Sequence, residues 1–438
     1  MRFFQNILRF LCGSPSHSWL TRYSVNVGWN LAAGASGFLT VVLVGRIHGT
    51  GALGYFALAQ SLLVYGEVFT HWGFGAYAIT HVTPRPRMLA NMVRNVIRLR
   101  IPMALSAYLI LCALTGFVPA LRGAFGMTAI MGLVVFVRAV CPVWTAQALH
   151  QSGVFMAMNY SAACLTLPLM GLAYLVTPNL HGVAVAILVA NLIPLLGTWI
   201  WLRIQTRTQD LGSLPAPAPR ALLREASPIG FTRLFRGLSF SLDLTLVGLF
   251  LSDEEIGHYT AAYKVFLFML SLVIAYFILL FPRMAASAAR SRQELLSEFR
   301  GSLIRIAPWV LAACLVVWAL APPFIRMVFG PAFLPAVPAL RWLQAVVLAS
   351  VVHSHCHQLM LVLGKQKLDM VLTFVAGVSH ILLKAFLIPR LGLIGAAVGG
   401  AIAEVGLVLA YVWFIRRMLA TPLSSIPLAE NNPTSCSP

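Results

Sequence analysis

The chain has 438 residues, of which 59% are hydrophobic and 10% are charged. Soluble globular domains are about 45–50% apolar and about 25% charged, so this composition excludes a soluble enzyme, a disordered chain and a nucleic-acid-binding module. The formal net charge of +19 comes from basic residues spread thinly between long apolar runs. Such spacing forms no continuous basic face and indicates membrane topology instead. Seven cysteines, an odd number, imply no disulfide framework.

Twelve apolar runs are long enough to cross a membrane, which takes about 20 mainly apolar residues. The sequence therefore predicts an all-α polytopic membrane protein with 12 transmembrane helices. The first 23 residues show no clear cleavage site, so the first helix is predicted to be an uncleaved anchor. The predicted spans are 24–45, 52–72, 99–119, 124–146, 155–176, 182–202, 229–251, 259–282, 304–325, 337–363, 370–388 and 393–414.

Basic residues are distributed unevenly between alternate loops. One side holds 21 of them, and the other side holds four, namely Arg46, Arg122, Arg326 and Arg390. Because positively charged loops are retained in the cytoplasm, both termini are predicted to be cytoplasmic. An odd number of spans would destroy this alternation.

Two halves of the sequence are similar. A shift of 203 residues places Gly54 over Gly257, and a shift of 213 places Gly182 over Gly395. Both shifts correspond to six helices, an even number, which predicts two six-helix lobes related by a parallel internal repeat. The predicted organisation is an N-lobe at 1–203, a cytoplasmic linker at 204–228 containing the Pro-rich run GSLPAPAP, a C-lobe at 229–417 and a disordered cytoplasmic tail at 418–438.

Several motifs resemble those of a known transporter family. Residues 44–56 read VGRIHGTGALGYF and 72–75 read WGFG; the most specific match is DLTLVG at 243–248 followed by EIGHYTAAYK at 255–264. Later matches are PVWTAQ at 142–147, GKQK at 364–367 and GLIGAA at 392–397. These motifs resemble the polysaccharide-export (Wzx-type) flippases of the multidrug/oligosaccharidyl-lipid/polysaccharide exporter superfamily. The resemblance covers about residues 20–417 and departs at 353–357, where the family is expected to be apolar or amide-rich.

The resemblance implies a function and a set of partners. A member of this family is expected to flip undecaprenyl-diphosphate-linked oligosaccharide repeat units across the bacterial inner membrane, for O-antigen or exopolysaccharide assembly. Its expected partners are that lipid-linked substrate and membrane lipids, with a polysaccharide polymerase and chain-length machinery as further candidates and no nucleic acid. The family is not enzymatic, and no cofactor is expected.

Charged residues within the spans are candidates for function, because a charge at membrane depth is costly and usually faces a cavity or a partner. A basic lumen suits a diphosphate, since Arg offers bidentate donors to phosphate oxygens. Arg236 and Asp243 lie seven residues apart, on one stripe of the seventh span. The candidate substrate-binding residues are Arg138, Arg233, Arg236, Lys264, Glu67, Asp243 and Glu404.

Plainer interpretations of the same charges stay open. Arg341 and Lys384 lie near outer helix ends, and for both we favour snorkelling to the interface. For Lys264, snorkelling and a lumen position are equally favoured. For Arg233, a lumen position and a position that only marks the cytoplasmic end of the seventh span are equally favoured. For the deeper charges the alternative is a structural pair.

The residues HSHCH at 353–357 place His353, Cys356 and His357 on one helix face. This spacing permits a metal site, but no acidic partner is identifiable in the sequence, so a polar lumen wall or interhelical hydrogen bonds are favoured. The chain has no Gly-rich nucleotide-binding loop ending in Lys-Ser/Thr. The driving force is therefore expected from H⁺ or Na⁺ coupling or from substrate consumption.

Three other functions compete with the flippase interpretation. A cation-coupled multidrug exporter of the same superfamily would favour an acidic lumen for cationic drugs, whereas the basic residues within the spans are in excess. A lipid II flippase generally has fourteen spans. A polysaccharide polymerase or glycosyltransferase commonly carries a large external loop, and the predicted outer loops here are short.

Overall fold

The computed structural model describes residues 19–176 and 179–420, with the side chains of 19–27, 232, 235–242, 275, 278–279, 282 and 419–420 left out. The described residues form helices and turns without a strand. Residues 1–18 and 421–438 lie outside the described residues, so the start of the predicted anchor and most of the predicted disordered tail stay predictions.

Twelve α-helices follow one another along the described chain. They are α1 (Trp19–His71), α2 (Phe74–Val82), α3 (Leu89–Phe117), α4 (Phe125–Ala139), α5 (Trp144–Ala148), α6 (Ser152–Val176), α7 (Leu180–Thr208), α8 (Pro219–Phe250), α9 (Asp253–Arg290), α10 (Arg292–Val328), α11 (Val337–Val362) and α12 (Gln366–Ala420). Short 3₁₀ helices lie at Pro86–Met88, Pro119–Ala124 and Pro331–Ala336.

The predicted spans are confirmed by these helices. Nine segments of the described chain are long and apolar enough to cross a membrane. Two of them are double, because α1 is kinked at Gly49 and α12 at Gly392, with backbone φ values of 85° and 60° that favour glycine. Helix α8 supplies the remaining predicted span, so each of the twelve predicted spans has its helical segment within residues 19–420.

Several helices are longer than the apolar runs that predicted them. Helix α3 begins at Leu89 instead of 99, and α8 begins at Pro219 instead of 229. Hydropathy detects only the part of a helix that is apolar, whereas helical hydrogen bonding continues through the basic residues next to it. The fourth span is shorter than predicted and ends at Ala139, because Pro142 cannot supply the N–H that a continued helix requires.

A reciprocal contact between glycines supports the predicted internal repeat. A Cβ added at Gly54 would stand 2.1 Å from the Asp253 carbonyl oxygen, and one added at Gly257 would stand 2.0 Å from the Thr50 carbonyl oxygen. Thr50 and Asp253 are themselves related by the shift of 203. The two crossing segments therefore contact each other through equivalent positions, as a two-fold relation between parallel repeats requires.

The two sequence halves also interrupt their helices at equivalent positions. Gly49 corresponds to Ser252 under the shift of 203, and Ser252 caps α9 together with Glu255, whose carboxylate accepts from the Ser252 N–H at 3.1 Å. Under the shift of 213, Gly392 corresponds to Asn179, the N-cap of α7, whose side chain accepts from Gly182 N at 2.7 Å. A glycine kink in one half thus stands where the other half begins a new helix.

Contacts divide the chain into two compact units, Met1–Gly257 and His258–Pro438. Helix α8, which the sequence assigns to the C-lobe, packs on α1 within the first unit. Units defined by contacts therefore differ from lobes defined by the repeat at this helix. The lobe boundaries at 203 and 229 remain a prediction.

In the first unit, the two arms of α1 pack on different helices. The first arm, 19–48, contacts α6, where Ser36 Oγ donates to the Ala163 carbonyl at 2.6 Å. The second arm, 50–71, packs against α3, α4 and α8. The buried aromatic residues Phe74, Trp144 and Trp201 belong to one apolar cluster next to these helices. This packing holds the second arm of α1 where it contributes to the candidate site.

The predicted linker is attached to the first unit. Asn91 Nδ2, at the start of α3, donates to the carbonyls of Gly212 and Leu214 at 3.0 and 2.8 Å. The linker backbone also bonds to α3, from Ala90 N to the Leu211 carbonyl at 2.8 Å. Hydrogen bonds from Ser213 hold the pKa of the exposed Asp210 carboxyl below its usual range. The Pro-rich run is therefore bound along the start of α3.

Candidate functional site

Arg138 is held between three helices of the first unit. Its Nη1 donates to Glu67 Oε2 at 2.5 Å, from α4 to the second arm of α1. Its Nε donates to Asn191 Oδ1 on α7 at 2.9 Å. The Asn191 amide is oriented in turn by its bond to the Ile187 carbonyl at 2.8 Å. The Arg138 side chain is 42% exposed, compared with 17% for Glu67, so the guanidinium keeps an accessible face.

Further basic groups surround the same place. His71 lies one turn after Glu67, and its Nδ1 bonds to the Glu67 carbonyl at 2.8 Å. Arg100, Arg138 and Arg233 all lie close enough to the His71 imidazole to interact with it electrostatically. Arg100 and Arg233 also interact electrostatically with each other. We call Glu67, His71, Arg100, Arg138 and Arg233 the arginine cluster. It contains three guanidinium groups and one carboxylate, an excess of positive charge.

Arg100 is one of the 21 basic residues that the charge count by loops assigned to the cytoplasmic side. It lies inside α3 and is 2% exposed, so it belongs to the buried part of a helix and not to a loop. Its Nε has no hydrogen-bond partner within the described part of the chain. Because leaving a buried charged donor unpaired is costly, Arg100 is a candidate for a ligand contact. The available signal was its position one residue inside the predicted third span.

Three of the candidate residues, Arg233, Arg236 and Asp243, lie on α8, and the structure describes the side chains of two of them. Asp243 is buried, and its charge acts on Tyr65. Thr245 bonds to the Tyr65 and Ser61 hydroxyls at 3.0 and 2.9 Å, which joins α8 to α1. The Arg236 side chain lies outside the described residues, so its shared stripe with Asp243 stays a prediction. Arg233 is exposed but contributes its charge to the arginine cluster.

The remaining candidates, Lys264 and Glu404, belong to the second unit. Lys264 is half-buried and makes no ion pair with a described residue. Glu404 accepts from Ser350 Oγ at 3.0 Å and from His353 Nδ1 at 2.7 Å. Acidic partners of the histidines therefore exist, contrary to the expectation from the sequence: Glu404 lies 51 residues after His353, and Asp369, which bonds to His357, lies 12 residues after it on the next helix. Within the described residues, no group of three or more His, Cys, Asp or Glu side chains is arranged to hold a metal ion.

The snorkelling predicted for Lys384 is wrong. Its side chain is 1% exposed, and Gly399 on the second arm of α12 provides the space for it, since a Cβ there would lie 3.1 Å from Lys384 Cγ. Gly395 likewise permits close packing on the Leu387 carbonyl. Arg341 instead lies over the Trp318 ring, 4.6 Å from its centre.

The arginine cluster has the chemistry of an anion site. Guanidinium groups match phosphate oxygens bidentately and retain their charge in apolar surroundings. One carboxylate neutralises only part of the three positive charges and holds Arg138 in place. The cluster therefore favours a polyanionic group over a cation.

A sequence comparison identifies the family. The profile of the polysaccharide biosynthesis protein family matches residues 23–288, more than half of the chain. The chain belongs to this family. The resemblance to the polysaccharide-export flippases is thereby confirmed. A search of curated proteins found no significant match.

Solved structures of the multidrug/oligosaccharidyl-lipid/polysaccharide exporter superfamily share the fold of this family member. An inward-facing multidrug resistance MATE family transporter aligns with a TM-score of 0.72 at 15% identity, covering 94% of this chain and 98% of its own. The lipid II flippase MurJ, in an inward closed conformation, aligns with a TM-score of 0.70 at 14% identity, covering 89% and 87%. A superfamily transporter from Pyrococcus furiosus, described by a reverse polarity of its binding pocket, aligns at 0.58 and 15% identity, covering 91% and 93%.

Proposed function

We propose that this protein flips undecaprenyl-diphosphate-linked oligosaccharide repeat units across the bacterial inner membrane, for O-antigen or exopolysaccharide assembly. The arginine cluster carries the proposal, because it concentrates positive charge at membrane depth in a member of a polysaccharide biosynthesis family. In an alternating-access cycle, the arginine cluster opens first to one side of the membrane and then to the other. The diphosphate binds its accessible guanidinium groups during this cycle. The prenyl chain remains in lipid.

The charge of the arginine cluster distinguishes this proposal from drug export. A site for cationic drugs requires net negative charge, since like charges in contact repel. The described side chains around His71 instead supply three arginines against Glu67. The fold shared with MATE transporters leaves the ligand open, and the side chains favour an anion.

The proposed orientation places both termini and the linker in the cytoplasm. It is supported by the excess of basic residues in alternate loops. A cysteine introduced at Ala216, in a chain with its own cysteines replaced, should be protected from a membrane-impermeant maleimide in intact cells. Labelling of that cysteine in intact cells would show that the linker lies outside the cytoplasm and would contradict the proposed orientation.

The function is tested by complementing a deletion strain. Deletion should abolish the surface polymer and leave unpolymerised lipid-linked repeat units facing the cytoplasm, and the wild-type gene should restore the polymer. Among variants, Arg138→Ala should reduce polymer per membrane-inserted molecule by about tenfold, the value of one lost charge-assisted hydrogen bond. Arg138→Lys should restore part of it, because the charge survives while the bidentate geometry is lost.

A surface pair provides the matched control. Arg305 donates to Glu298 Oε1 at 3.1 Å but is largely exposed, so Arg305→Ala should leave export unchanged. Normal polymer in the deletion strain, together with increased sensitivity to cationic drugs, would replace the flippase proposal by multidrug export. Loss of long polymer with repeat units accumulating on the outer face would instead indicate a polymerase.

A further inference from the structure

The second unit contains a hydrogen-bonded network that the proposed substrate site does not use. His353 Nδ1 donates to Glu404 Oε1 at 2.7 Å, and the same oxygen accepts from Ser350 Oγ at 3.0 Å. The His353 and Glu404 side chains are 23% and 17% exposed. A carboxylate buried in a membrane-spanning helix is costly unless a partner stabilises it, and here the partner is a group that itself binds a proton.

A second pair of the same kind lies one turn further along α11. His357 Nδ1 donates to Asp369 Oδ1 at 2.7 Å, and Tyr411 Oη donates to the same Asp369 oxygen at 2.5 Å. The Tyr411 ring also stacks on the His353 ring, with centroids 5.5 Å apart. Tyr411 thus joins the two pairs. We call His353, Glu404, His357, Asp369 and Tyr411 the histidine network.

The histidine network connects α11 to both arms of the kinked helix α12. Asp369 lies on the first arm, 366–391, whereas Glu404 and Tyr411 lie on the second arm, 393–420. A change of charge at either histidine therefore acts on the contacts that hold the two arms against α11. The kink at Gly392, with φ of 60°, is the point between the arms.

The network has an exposed end and a deeper end. His357 is 36% exposed and its pair with Asp369 lies near the short turn between α11 and α12. His353 is less exposed and lies four residues, about 6 Å, further into the helix. The exposed end therefore lies at the His357–Asp369 pair, and the Tyr411 ring, stacked on His353, lies between the two pairs.

The groups around the network are few and mostly uncharged. On α12, His380 interacts electrostatically with Glu404. His380 and Lys384 both lie next to Gly400. Thr373 contacts the Tyr411 hydroxyl at 3.5 Å. On α11, Cys356 is near Tyr411, whereas His355 packs against Phe277 of α9 and Phe299 of α10. The two carboxylates of the network face these groups, and each carboxylate has its own imidazole.

We propose that the histidine network is a proton-binding site, and that its occupancy drives the transport cycle. Each neutral imidazole accepts one proton at Nε2 and becomes an imidazolium, so the charge of its pair changes from −1 to zero, and the proton leaves by the reverse step. Chains of His and carboxylate groups serve as proton relays in membrane transporters. The coupling part of the proposal rests on the proposed function, whereas the proton site stands by itself.

Proton uptake by purified full-length protein tests the site directly. Between pH 8 and pH 5, wild-type protein should bind about one proton more than Glu404→Gln, and about one more than Asp369→Asn, because each amide variant lacks a carboxylate that is hydrogen-bonded to an imidazole and would balance an imidazolium. Glu404→Asp, which keeps the carboxylate, should restore the uptake. Glu294→Gln is the matched control, since Glu294 forms an exposed pair with Arg290 at 3.6 Å. Equal uptake by wild type and both amide variants would overturn the proposal.

A second measurement uses wild-type protein and does not depend on whether the amide variants fold. In wild-type protein with ¹³C-labelled histidine, the His353 and His357 signals should shift between pH 8 and pH 5, while that of the fully buried His355 should not. Single His→Gln variants, which keep a donor toward the carboxylate, assign the signals. Signals of His353 and His357 that stay constant over this range would also overturn the proposal.

Coupling is tested by polymer export in the complemented deletion strain. Collapsing the pH gradient with nigericin in potassium medium should lower wild-type export severalfold, whereas Glu404→Gln should export less at the start and respond little. If Glu404→Gln exports as much polymer as wild type and loses as much export on addition of nigericin, the coupling part of the proposal is overturned. Normal polymer in the deletion strain would remove the proposed function alone, and the titration would still decide whether the network binds protons.

Discussion

Asn191 and Glu404 occupy the same position in the two copies of the internal repeat, one residue after the matched pair Ala190 and Ala403. In the first copy, the Asn191 amide accepts from Arg138 on α4. In the second copy, the Glu404 carboxylate accepts from His353 on α11. Both contacts join the last helix of a repeat to its fourth helix. The equivalent contact between helices therefore involves the permanent cation Arg138 in one copy and the imidazole of His353 in the other.

Under the two proposals made above, this difference separates two tasks, substrate attraction and proton coupling. Arginine stays charged at any physiological pH and suits the constant attraction of a diphosphate. Histidine binds and releases a proton at its free ring nitrogen and therefore suits a reversible ion. The duplicated fold supplies equivalent scaffolds, and the side chains at one equivalent position specialise them.

The largest expected effect concerns the repeat relation on which the comparison depends. Gly54→Val and Gly257→Val should each prevent accumulation of folded protein, because each new Cβ would stand about 2 Å from a carbonyl oxygen of the crossing helix. The measurement is the amount of monodisperse membrane-inserted protein. Gly51→Val is the control, since nothing lies within 4 Å of its Cβ position. Tolerance of one substitution and not the other would show that the crossing is asymmetric.

The next effect comes from giving the first copy the acidic residue of the second. Asn191→Glu places a second carboxylate against Arg138 and should lower export per inserted molecule by about tenfold or more, the value of one charge-assisted contact. The double variant Asn191→Glu/Glu67→Gln restores a single carboxylate and should recover part of the export. If the double variant exports no better than the single one, the effect of Glu at 191 is steric, and the charge comparison fails.

A smaller effect is expected at the link within the second copy. Tyr411→Phe removes the hydroxyl that donates to Asp369 at 2.5 Å and leaves the stacking on His353. A hydrogen bond to a charged group contributes about 1.5–3 kcal/mol, so the melting temperature should fall by several degrees. Thr373→Val, which removes only a 3.5 Å contact to the same hydroxyl, should change it little. Equal melting of both variants would mean that Tyr411 stabilises by packing alone.

The sequence predicted the helices better than it predicted the sites, for a physical reason. Membrane spans are specified locally by apolar length, so twelve segments could be predicted along the chain. Contacts between charges depend on which helices become neighbours. Glu67 and Arg138 were recognised as candidates but not as a pair, and the acidic partners of His353 and His357 were not identified at all.

The depth of a charge was equally hard to read near the end of a span. Arg100 and Lys384 each lie within a few residues of a predicted helix end, where hydropathy cannot distinguish a loop or a snorkelling position from a buried one. Their burial depends on neighbours far along the chain, such as Gly399 for Lys384. For Arg100 the signal in the sequence was its position one residue inside the predicted span, and for Lys384 it was the small residue Gly399.

The smallest expected effect tests whether the linker belongs with the first copy. Asn91→Ala removes two hydrogen bonds to the Gly212 and Leu214 carbonyls, each contributing about 1 kcal/mol, so the linker should detach more often. In inside-out membrane vesicles, a protease added outside should then cleave within 209–218 severalfold faster, while polymer export stays near wild type. Asn159→Ala is the control, because Asn159 is an exposed asparagine on α6. Because local opening sets the rate of cleavage, unchanged cleavage in Asn91→Ala would mean that the backbone bond from Ala90 to Leu211 is sufficient to hold the linker on α3.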